Sequence, residues 1–86
     1  MKTKNEIREA LKSGDDYENA VVRMEATSMV NGGTIRYWWN SAKQIVESFG
    51  SGPGWCDQGV SEHEMEEAVS YLWKQRKHVR KEEEVA

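Results

Sequence analysis

The sequence predicts a small all-α domain of three to four helices. Three features carry that expectation: apolar spacing through residues 35–49, two helix-start signatures, and a charge order along residues 61–81 that suits a helix dipole. The third and fourth helices are expected to be amphipathic and to pack antiparallel.

The elements follow in chain order. Thr3 and Glu6 form the first signature, in which hydroxyl and carboxylate satisfy orphan backbone donors. Ile7, Ala10 and Leu11 continue at helical spacing, and "SGDD" ends a short helix within residues 1–13. Residues 17–31 read two ways. Tyr17, Ala20, Val21, Met24 and Ser28 share one helical face, with Asn31-Gly32 as its stop. Against this, Val21, Val22, Thr27 and Val30 favour strands, so the alternative class is α+β, with a hairpin turned around Asn31–Gly33. The helical reading is preferred because of the next segment. There Ile35, Trp38, Trp39, Ala42, Ile45, Val46 and Phe49 fall at i, i+3, i+4, i+7, i+10, i+11 and i+14, with Gly50 as cap. Residues 50–60 are rich in glycine and read as a loop. Ser61 and Glu64 form the second signature, with Val60 and Met65 at staple positions. Met65, Ala68, Val69, Leu72, Trp73 and Val79 supply that helix's apolar side, and residues 82–86 form an acidic tail.

Length and composition bound the functions. With 86 residues the chain holds one domain, residues 1–86, and a thin core. Hydrophobic residues make up 37% and charged ones 31%, which suits a domain with strongly solvated faces. A single cysteine excludes an internal disulfide and fits a reducing compartment. No signal peptide or membrane-spanning run is read, so a cytoplasmic protein is expected. The net charge of −3 conceals segregation. Residues 44–73 lack Lys and Arg but hold Glu47, Asp57, Glu62, Glu64, Glu66 and Glu67. The following "KQRKHVRK" reverses the sign.

No pattern makes a strong case for catalysis, so none of the residues is assigned a catalytic role. Cys56 and His63 could pair as nucleophile and base, yet no oxyanion-hole motif accompanies them. Cys56, His63 and Glu66 or Glu67 fall short of a structural zinc site, and neither metal nor cofactor is expected. The "GSGPG" run lacks the Lys-Ser/Thr of a phosphate-binding loop.

The expectation is therefore a non-catalytic protein-binding module: an adaptor, or a stoichiometric inhibitor or regulator of a larger protein machine. Small acidic proteins of this kind are common among phage and plasmid products. Aromatics and segregated charge are the warrant, since interfaces use such side chains as anchors and for register. Tyr37, Trp39 and Trp55 are the expected apolar contacts, and Glu62, Glu66 and Glu67 the acidic ones. Self-association as a homodimer fits the same reading. The alternative is a nucleic-acid accessory protein, acting within a complex. It would use a basic C-terminal helix with Lys74, Arg76, Lys77, Arg80 and Lys81 along its sides.

Overall fold

The computed structural model describes residues 2–25, 32–52 and 59–81, and these form a sheet with two short helices. The order is α1 (Lys4–Ser13), β1 (Val22–Glu25), β2 (Thr34–Asn40), β3 (Ile45–Ser51), β4 (Ser61–His63), α2 (Met65–Lys74) and β5 (Val79–Lys81). The strands lie in the order β4-β3-β2-β1-β5, and every neighbouring pair is antiparallel. The first four strands meander, and α2 then carries the chain back across the sheet to set β5 beside β1.

This corrects the all-α, helical expectation; the class is α+β. The segment read as the third helix is a hairpin. Six of its seven apolar positions divide between two sides of a sheet, and Ala42 lies in the connecting turn. Ile35, Tyr37 and Trp39 join the helix-covered core, while Trp38 and Phe49 meet Tyr17 on the other side. Where strands carry large apolar groups on both sides, apolar density imitates helical spacing. Aromatic and β-branched content then decides, because those side chains pack well on a pleated surface. Four residues, 41–44, close the hairpin. Asn40 Oδ1 accepts from the Lys43 amide at 3.1 Å, and Gln44 takes a left-handed φ of 55°.

The weighed alternative had the right class, and β1 and β2 do pair antiparallel across the Asn31–Gly33 region. Residues 26–31 lie outside the described residues. The fourth helix is also shorter than its signature suggested. Ser61 is in β4, Glu64 occupies the cap position without a side-chain bond, and Val79 belongs to β5. Only α1 follows its signature. Thr3 Oγ1 accepts from the Glu6 amide at 3.1 Å, although the Glu6 carboxylate takes the Lys2 amide instead of closing on Thr3.

Both helices cover one side of the sheet. Ile7, Ala10 and Leu11 from α1 and Ala68, Val69 and Leu72 from α2 meet Val22, Met24, Tyr37, Val46 and Val79. Arg8 clasps Glu66 with two hydrogen bonds, 2.6 and 2.9 Å, and so ties α1 to α2. Gly14 lets the chain turn tightly onto the sheet. A Cβ there would lie 2.5 Å from the Asn19 carbonyl oxygen, and the Gly14 carbonyl accepts from the Trp39 amide at 3.1 Å.

Candidate functional site

Strand β3 presents small residues to the helices where its neighbour presents large ones. Ser48 lies opposite Tyr37, and Gly50 lies opposite Ile35. This shortage of bulk leaves a pocket of about 360 Å³ between the sheet and α2. Ile35 and Tyr37 line it from β2, Ser48 from β3, and Ser61 and His63 from β4. Glu67, Ala68 and Tyr71 complete it from α2.

The lining grades from apolar and buried to polar and exposed. Tyr37 is 4% exposed, whereas Tyr71 is 44% exposed and Glu67 also faces solvent. Ser48 is fully buried, and its hydroxyl lies 2.8 Å from His63 Nε2, which joins β3 to the short edge strand β4. Burial, with a smaller contribution from Tyr71, pushes the Tyr37 hydroxyl well above its ordinary range, so it stays neutral. The pocket therefore offers hydroxyls, an imidazole and two phenol rings, with one carboxylate at its mouth.

Two carboxylates of the same elements are held by cations: Glu66 on α2, and Glu62, which β4 turns to the other side of the sheet. Lys43 donates to Glu62 at 2.9 Å, and this contact raises the lysine's affinity for its proton. Arg8, bound to Glu66, holds that carboxyl below the usual range. Glu64 and Glu67 make no ion pair among the described residues.

The opposite side of the sheet has another character. Arg80, Arg23 and Arg36 are cross-strand neighbours on β5, β1 and β2. Glu25 bridges Arg23 at 3.6 Å and Arg80 at 3.3 Å, and the Arg36 guanidinium sits 5.3 Å from the Tyr17 ring centre. Tyr17 meets Trp38 and Phe49 edge-on. Glu47 accepts from Trp38 Nε1 at 3.2 Å and Asn40 Nδ2 at 2.8 Å.

The expected contact residues are thus dispersed. Tyr37 is a core residue reached only through the pocket, and Trp39 is partly buried against the core. Trp55 and Cys56 lie outside the described residues. Glu67 lines the pocket, Glu66 is engaged by Arg8, and Glu62 pairs with Lys43 on the other side of the sheet, across from Glu47. The basic run is not one helical stripe. Lys74 ends α2, Arg76 and Lys77 lie in the following turn, and Arg80 and Lys81 are in β5. Arg76 folds over the Trp73 ring at 4.5 Å. Tyr71, Ser48 and Ser61 also line the pocket and are not among the expected contact residues. Tyr71 had a usable signal: it stands four residues after Glu67 and off the apolar side of α2, so an exposed ring was legible there.

Among the described residues there is no group of three metal-ligating side chains, and no helix is long and apolar enough to cross a membrane. No family model matches the chain, and neither a curated protein nor a solved structure matches it.

Proposed function

We propose that this domain is a non-catalytic protein-binding module, and that the pocket between β4 and α2 anchors a side chain of its partner. One observation carries the reading: a cavity with a buried tyrosine floor opens beside an exposed tyrosine and a carboxylate that has no ion pair among the described residues. Partly exposed aromatics next to a slot are the usual form of an interface hot spot, where one inserted group contributes most of the binding energy. The Glu67 carboxylate at the opening would set orientation and encounter rate more than affinity.

The test is capture of proteins from the native cell on immobilised wild type, Tyr71→Ala and Glu67→Lys. Both side chains are exposed, so the variants should keep the wild-type melting temperature. A specific partner held by the wild type should be lost from both. Retention of the same protein at equal yield by both variants would refute the pocket as anchor.

A further inference from the structure

We infer that the pocket selects a guanidinium group, an arginine side chain offered by the partner; this rests on the protein-binding reading above. Charge gives the first argument. Among the described residues, Glu67 is the only formally charged side chain at the lining, and no Lys or Arg lines it. Glu66, next to Glu67 on α2, already holds Arg8, whereas Glu64 and Glu67 have no cation among the described residues. An anionic guest would meet an unbalanced carboxylate, and a cationic one would balance it.

Shape and hydrogen bonding give the second. About 360 Å³ is near the lower end for ligand pockets and suits one long side chain. Tyr37 and Tyr71 bring two rings to it, from the sheet and from α2. A planar guanidinium stacks on such rings, where a compact, strongly hydrated ammonium gains less. The hydroxyl and carboxylate oxygens of the lining can all accept. With Ser48 donating to His63 Nε2, its oxygen keeps lone pairs for a guest N–H. Ser61 and the Glu67 carboxylate add further acceptors, and a guanidinium has several donors fixed in one plane.

The experiment titrates blocked arginine (N-acetyl-arginine methylamide) into isotope-labelled full-length protein and follows amide and ring resonances. Blocked lysine and blocked citrulline, the neutral isostere, serve as comparisons. Arginine should give saturable shifts at Tyr37, His63 and Tyr71, with a Kd on the order of millimolar for a single side chain. Lysine should bind about fivefold more weakly and citrulline about tenfold more weakly. Glu67→Gln should weaken arginine about fivefold while leaving the melting temperature unchanged. Citrulline binding as tightly as arginine would overturn the inference, as would an absence of saturable shifts at those three residues. If arginine fails while Tyr71→Ala still releases the captured protein, the guanidinium inference falls and protein binding stands. If arginine binds while capture is indifferent to both variants, the pocket's preference stands and the protein-binding reading falls.

Discussion

The two sides of the sheet solve the same problem in different ways. On the helix side, Val22, Val46, Leu72 and Ile7 are fully or almost fully enclosed, and stability comes from apolar area removed from water. On the other side, large rings and charges hold one another in place: Tyr17 against Trp38 and Phe49, and Glu25 between Arg23 and Arg80. The first arrangement is dry and non-directional. The second depends on geometry and is open to screening by salt. Aromatic surplus in the sequence was thus absorbed mostly by covering both sides of a thin sheet. The ring left exposed among the described residues, Tyr71, stands beside the one place where β3 is too small to fill its layer.

Variants on the two sides should differ accordingly. The largest effect is expected for Leu72→Ala, which opens a cavity where α2 meets the sheet. It should cost about 2–5 kcal/mol in chemical denaturation, little affected by salt. A smaller, pH-dependent effect belongs to Tyr37. Its folded-state affinity for the proton is raised above the ordinary value of 10.0, so the protonated hydroxyl's contribution is fully present below that pH. As pH rises beyond it, the unfolded chain releases the proton first, and stability should fall by up to about 1.4 kcal/mol per pH unit. Tyr37→Phe should remove its share of that alkaline slope in urea titrations at successive pH values. The smallest change is expected for Glu25→Gln, on the open side. It breaks two partly exposed ion pairs and should cost about 1 kcal/mol or less, shrinking further in high salt. A loss from Glu25→Gln as large as that from Leu72→Ala would erase the contrast.

What could be read from the chain alone was local. Thr3 and Glu6 marked the start of α1, because a cap depends on residues three apart. The acidic beginning of α2 and the position of Tyr71 off its apolar side were equally visible. Gly50 and Ser48 were visible too, as small residues in an apolar run, but their meaning required Ile35 and Tyr37 directly opposite.

Partnership across distance was decided only by the tertiary structure. Residues 34–51 satisfy a helical spacing and a two-sided strand hairpin at once, and either arrangement gives most backbone donors and acceptors a partner. What separates them is whether another layer waits on each side. Here α1 and α2 cover one side and Tyr17 reaches the other, so the hairpin buries Tyr37 and Trp38 together, in opposite directions. The pocket arises the same way: no stretch of sequence contains it, since β2, β3, β4 and α2 each supply a part.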